Sequence, residues 1–243
     1  RRLGARHVAV DPPRAAHPVS GTAVRADPVT HWSALAPCVR GDLAWRVVLV
    51  GAESTGKTTL AAAIAARLRA RGGAFVDTAW VPEVGREVTA QKLAALGPGA
   101  AMEALTWGTA DFVDIARAQA AREAAMARAG GPVIVCDTDA FATGIWHERY
   151  GGARSAEVDR LGAAAPYHLY LVTHHDDVSF EQDGLRDGEH LRGWMTARFV
   201  ERLTDEGRAW QWLRGEGAAR EAAALAAIDA RLAAGWGFAA PLG

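Results

Sequence analysis

Between Arg46 and Thr58 the chain passes through a β-branched run, Arg46-Val47-Val48-Leu49-Val50, into Gly51-Ala52-Glu53-Ser54-Thr55-Gly56-Lys57-Thr58. A short apolar run ending in glycine reads as a strand buried on both faces. The eight residues after it fit the pattern Gly-x-x-x-x-Gly-Lys-Thr. From Lys57 to about Arg71, Leu60, Ile64 and Leu68 form one helical stripe, and Gly72-Gly73 stops it. Strand, glycine-bounded loop and helix in that order leave few folds open. The glycines let successive N–H groups turn inward, and the helix N-terminus adds partial positive charge, so the loop cradles phosphate oxygens. Lys57 is placed to reach the β- and γ-phosphates, and the Thr58 hydroxyl to ligate Mg²⁺. The residues expected to bind the nucleotide are Gly51, Glu53, Ser54, Thr55, Gly56, Lys57, Thr58 and Thr59.

Four more strands are predicted: Ala74–Asp77, Val133–Cys136, Leu169–Val172 and, more weakly, Trp210–Leu213. Between them lie helical segments. Ala100–Ala129 reads as one or two helices with Phe112, Ile115, Gln119 and Glu123 near one face, and the last helix carries Leu225, Ile228 and Leu232. Short strands alternating with helices predict an α/β chain, a P-loop NTPase-type five-stranded parallel sheet with helices on both faces. Residues 1–43 have a different texture, rich in Pro, Arg and His. They hold a strand-like run at His7–Val10, turn signals at Asp11-Pro12-Pro13 and a helix start at Ser20-Gly21-Thr22.

Composition narrows the function. Of 243 residues, 27 are basic and 28 acidic, and half are hydrophobic, which argues against disorder and gives no electrostatic case for coating nucleic acid. The apolar runs are too short to span a bilayer, and none resembles a secretory signal. Small-molecule partners, no membrane and a cytoplasmic location are expected, with self-association permitted. Cys38 and Cys136 are too few and too far apart for a disulfide framework. Lys57 and Lys92 are the only lysines, so a site needing a compact ammonium has two candidates. The chain opens on Arg1-Arg2 rather than methionine, which reads as a processed product or a fragment.

A phosphate cradle does not say what receives the phosphate. Kinases of small molecules need an acceptor-activating carboxylate, an acid on the magnesium side and a mobile lid carrying arginine. Glu83, after the second strand region, is placed to take a proton from an attacking hydroxyl, with Arg86 holding substrate or phosphate. The competing reading is an acid that merely favours a helix start. Asp137 and Asp139 follow the third strand. One of them would hold the Mg²⁺ water shell, and the other would bind ribose hydroxyls or act as base. Gln182–Arg192 is a charged, glycine-broken stretch whose Arg186 and Arg192 could swing over a triphosphate; a solvated helix start is the alternative. Trp80, Trp107, Trp146 and Tyr150 either stack a flat base or pack the core. The histidines, His174-His175 included, read as surface or structural.

Taken in order, Gly51–Thr59, Glu83–Glu87, Asp137-Thr138-Asp139 with Thr143, and Asp183–Arg186 resemble the ribosylnicotinamide kinase domain of the bifunctional NadR-type NAD-biosynthesis proteins, over about residues 45–235. The resemblance implies a nucleoside-kinase-like fold and transfer of the ATP γ-phosphate to the 5′-hydroxyl of nicotinamide riboside. It implies Lys57, Glu83, Asp137 and Arg186 as catalytic residues, with Glu83 the base and Thr58 and Asp137 on magnesium. Arg186 and Arg192 join the ATP site, and Glu83, Arg86, Asp139, Gln119 and Trp107 form the acceptor site. On this reading 44–243 is the kinase domain. Residues 1–43 are then the tail of a nucleotidylyltransferase domain, because Pro18–Arg25 is similar to its S-[ST]-T-x-x-R end, with glycine in the middle position. That domain's His-x-Gly-His motif is absent, so no adenylyltransferase activity is expected, and the helix-turn-helix of some members is missing too. The alternatives are a non-catalytic ATP- or NAD-sensing module and a kinase for another nucleoside.

Overall fold

The structure, a computed structural model, describes residues 13, 15, 16, 19–164 and 167–238. The strand expected at His7–Val10 lies outside them, as does most of the Asp11-Pro12-Pro13 turn. In chain order the elements are α1 (Gly21–Ala26), α2 (Pro37–Leu43), β1 (Trp45–Val50), α3 (Lys57–Arg69), β2 (Ala79–Val81), α4 (Val84–Leu96), α5 (Thr109–Ala129), β3 (Val133–Asp137), α6 (Ala140–Gly151), α7 (Ala156–Ala163), β4 (Leu169–Thr173), α8 (Arg192–Asp205), β5 (Trp210–Leu213) and α9 (Gly217–Ala234).

All strand pairings are parallel and the order is β2-β3-β1-β4-β5. Every residue of β1 is buried, as its unbroken apolar run requires of a central strand. Alternate side chains go to opposite layers. Val47 and Leu49 pack with Leu60, Ile64 and Leu68 of α3 and Ile228 of α9. Val48 and Val50 pack with Phe141 and Ile145 of α6 and Met195, Phe199 and Leu203 of α8. The chain leaves β1 toward β3 and β2 on one flank and later crosses to β4 and β5 on the other. Ligands in open α/β sheets gather at the carboxyl end of the strand where that reversal occurs, here β1.

The second strand differs from expectation. Gly73–Phe75 is a 3-10 turn, Val76 is exposed, and pairing begins only at Ala79. Gly72 and Gly73 both take positive φ, which tightens the chain into a turn where an apolar triplet alone reads as a strand. Similarly, Ala100–Ala129 resolves into a turn at Met102–Ala104 and the 21-residue α5. Ser20 caps α1, its side chain accepting from Ala23 N at 3.0 Å. Trp32 and Leu35 enter the core beside α6 and α8, and Trp32 Nε1 donates to Gly130 O at 2.8 Å, so the segment before β1 packs into the same core. Among the described residues no helix is long and apolar enough to cross a membrane.

Candidate active site

The loop after β1 is built around a close approach. Gly51 has φ +149°, and a Cβ there would lie 2.8 Å from Thr173 O and collide with Thr173 Oγ1. Thr55 fastens the far side of the loop, its hydroxyl 2.9 Å from Ala52 O and 2.7 Å from Thr173 Oγ1. Lys57 Nζ donates to Ala52 O at 2.7 Å, which keeps the ammonium inside the curl. Burial pushes the Lys57 proton affinity down, while the charges of Glu83, Asp137 and Glu53 hold it up.

This loop borders a cavity of about 430 Å³, which Glu53 to Leu60 line together with Glu83, Arg86, Gln119, Thr138 and Arg186. Thr58 Oγ1 donates to Asp137 Oδ2 at 2.5 Å, whereas Asp137 Oδ1 is buried without a hydrogen-bond partner among the described residues. A hydroxyl beside an unsatisfied carboxylate oxygen is a hard-oxygen donor set, which fits Mg²⁺. Burial raises the Asp137 carboxyl, against the pull of Lys57 and Thr58.

Glu83 occupies the N-cap position of α4, but its side chain makes no capping hydrogen bond. The carboxylate is half-buried on the cavity wall. Burial first, then the neighbouring Asp137 charge, push it up to about 7 against the attraction of Lys57 and Arg86. An acid that caps nothing and titrates near neutrality suits a general base.

Trp107, Phe112, Trp146 and Tyr150 also line the cavity. Trp107 lies 5.5 Å from both Phe112 and Tyr150, and Trp146 stacks on Tyr150 at 6.5 Å. Lys92 Nζ sits 4.6 Å over the Trp107 ring. This is an aromatic wall of mutually tilted rings, suited to a planar base. Trp80, the fourth stacking candidate, belongs instead to the layer under α3.

Other expected residues take different places. Asp139 is fully buried and turned into the core, where it caps α6 through Ala142 N (2.8 Å) and accepts from Tyr170 OH (2.7 Å). It cannot reach a sugar in the cavity. The cause lies next door. Thr138 has φ +64° and turns the chain away from the strand direction, so Asp139 does not continue the face of Asp137. Arg192 does not line the cavity, because its Nη2 is spent on three carbonyls, His175 O and Val178 O at 2.7 Å and Ser54 O at 3.3 Å. Glu53 lies in the loop but is engaged by Arg149 (3.0 Å) and by Gly188 N (2.9 Å). Gln119 lines the cavity with its amide fully used. Its Oε1 accepts from Val84 N at 3.0 Å, and its Nε2 faces Glu123 Oε1 at 3.1 Å and Thr138 O at 3.5 Å. Arg86 and Arg186 both line the cavity and both pair with Asp183. His174 and His175 bond locally, to Asp176 N and Thr196 Oγ1, away from the cavity.

Two arginines at the site carry no motif. Arg220 of α9 donates to Thr55 O at 2.8 Å and lines the cavity beside the loop. Arg149 of α6 bridges the loop to residue 187. With 25 arginines in the chain, only tertiary placement picks these two out.

The fold has relatives among solved structures. NadR in complex with NR superposes with a TM-score of 0.65 at 21% identity, covering 89% of this chain and 59% of that one. NadR in complex with NAD and AMP-PNP gives a TM-score of 0.65 at 20% identity, over 89% and 57%. Thymidylate kinase from Ehrlichia chaffeensis gives 0.53 at 13% identity, over 76% of this chain and 98% of its own. The chain thus spans less than three fifths of the NadR chains it matches. No curated protein matches by sequence. The architecture is therefore a five-stranded parallel sheet carrying a P-loop, with helices on both faces. A family model described as an AAA domain matches residues 46–220, and on that match, which spans most of its length, the chain belongs to that family.

Proposed function

We propose that this chain is a Mg·ATP-dependent nucleoside 5′-kinase whose acceptor is nicotinamide riboside, yielding nicotinamide mononucleotide and ADP. One observation carries the reading: a single cavity holds the phosphate cradle, a carboxylate that caps no helix, and an aromatic wall. The NR held by the NadR structure of the same fold supports the choice of base. A sensor that only reports nucleotide level has no use for Glu83. The reading extends to residues 1–43 as the tail of a nucleotidylyltransferase domain.

The base of the riboside stacks on Trp107 and its neighbours, which leaves the ribose 5′-hydroxyl toward Glu83. Glu83 takes the hydroxyl proton as the oxygen bonds to the γ-phosphorus and the bond from that phosphorus to the β-bridging oxygen breaks. Lys57 and the loop N–H groups hold the phosphate oxygens as charge moves onto ADP, and Arg186 adds positive charge from the lid side. Thr58 and Asp137 would hold Mg²⁺, which neutralises phosphate charge when bound.

The test is a panel of nucleosides incubated with Mg·ATP and pure protein, with mass detection of phosphorylated product. Phosphorylation of nicotinamide riboside well above thymidine and deoxycytidine is expected. Equal turnover of the three would overturn the substrate assignment, and no phosphorylation of any nucleoside would overturn the kinase.

A further inference from the structure

The segment after β4 lines the cavity through Val178, Glu181, Leu185 and Arg186 and is tied down at several points. Ser54 Oγ accepts from Glu181 N at 2.8 Å and from Arg186 Nη1 at 3.3 Å. Asp183 pairs with Arg86 on α4. The strongest tie is a buried arginine. Arg149, its side chain 2% exposed, sets Nη1 3.0 Å from Glu53 Oε1 in the phosphate loop and pairs Nη2 with Asp187 in the lid. Tyr150 OH donates to the same Asp187 oxygen at 3.0 Å, and Gly188 N donates to the other Glu53 oxygen at 2.9 Å. The guanidinium also rests on Trp146 (5.1 Å) and Tyr150 (4.7 Å), both in the base-facing wall.

Gly188 gives an independent sign of how closely these parts fit. Its φ of −116° is open to any residue, yet a Cβ there would collide with Arg149 Nη2 and lie 2.8 Å from Glu53 Oε2. The space a side chain would need is filled by the ion pair.

We propose that Arg149 is a latch pin, a positioning residue that locks lid residues 182–188 onto the phosphate loop and the aromatic wall, so that the γ-phosphoryl group passes to the acceptor alcohol and not to water. The proposal rests on the kinase reading for its catalytic consequence. Its structural content stands apart from that reading. A guanidinium with two planar edges can hold both carboxylates at once, which an ammonium on a lysine stem cannot do with the same geometry. A closed lid keeps water from the triphosphate.

Trypsin cuts after arginine, so cleavage of the Arg186–Asp187 bond, followed by mass spectrometry, reports lid opening directly. Arg149→Met and Gly188→Ala remove the pin and wedge it, respectively. Both should speed that cleavage at least about tenfold, because it tracks the open population. Both should also raise acceptor-independent ATP hydrolysis relative to riboside phosphorylation. Should Arg149→Met fail to fold, Gly188→Ala, which removes no charge, decides the matter, with far-ultraviolet circular dichroism confirming its fold. Unchanged cleavage in the folded variants overturns the latch. If the unmodified protein phosphorylates no nucleoside, the kinase reading fails, while the cleavage comparison still decides the latch.

Discussion

Gln119→Leu separates the sequence expectation for this residue from its observed place. The swap nearly keeps volume but deletes the amide, which is 1% exposed. Lost are the acceptor for Val84 N at 3.0 Å and the donor to Glu123 at 3.1 Å, plus a marginal contact to Thr138 O at 3.5 Å. Each of the first two leaves a buried polar group unpaired, at about 1–3 kcal/mol apiece, and the apolar gain of leucine offsets part of this. A net loss of about 2–4 kcal/mol follows, and at about 2–4 °C per kcal/mol the melting temperature should fall by about 5–15 °C. Val84 adjoins Glu83, so freeing its N–H also loosens the proposed base. Turnover should drop about 10- to 100-fold, in keeping with the sensitivity of such steps to a displacement of about 1 Å. The apparent KM for ATP should stay within about twofold, since the phosphate loop is not touched. Differential scanning calorimetry and steady-state ADP release measure both quantities. An unchanged melting temperature with the whole effect in the riboside KM would show Gln119 to be a substrate contact and refute the reasoning.

Glu83→Gln should cut kcat by about 10²- to 10³-fold while ATP affinity by calorimetry moves less than about threefold, and a larger loss of affinity than of turnover would contradict its role as base. Trp107→Ala should raise the riboside KM about tenfold and leave the ATP KM unchanged; a reversed pattern in steady-state kinetics would remove the wall from acceptor binding. Glu123 is buried beside Asp139, and burial pushes it from 4.5 up to about 8. Above pH 4.5 the unfolded chain has lost this proton and the folded chain keeps it, so stability declines as pH rises to about 8 and then levels off. Glu123→Gln should flatten melting temperature against pH across that window, and an unaltered slope would exonerate Glu123.

What the sequence reveals of the fold and the site follows from how local each feature is. The cradle, its strand and its helix are contiguous in sequence, and Gly51, Lys57 and Thr58 fall where the pattern puts them. Four of the five strands were likewise apolar runs with clear glycine or polar stops. Ala79–Val81 was not, because only three residues pair and one edge of the strand is open. Asp139 reads as a second site acid because it follows the same strand as Asp137, and nothing in the sequence shows that Thr138, at φ +64°, turns the chain between them. Arg192 reads as a lid cation because a charged helix start gives no hint that carbonyls from two loops converge on it. Arg149 and Arg220 lie far along the chain from the loop they touch, 96 and 165 positions from their partners Glu53 and Thr55 in sequence numbering, and no spacing rule links such pairs.

Thr138 carries a further consequence. A β-branched residue held in the left-handed region is disfavoured by about 1–2 kcal/mol relative to a relaxed backbone, and glycine would relieve it. Thr138 nevertheless lines the cavity, and its carbonyl lies beside the Gln119 amide. Selection for survival in heat alone would therefore favour glycine at this codon early and strip a group from the cavity wall in doing so, which makes position 138 a place where endurance and catalytic vigour compete.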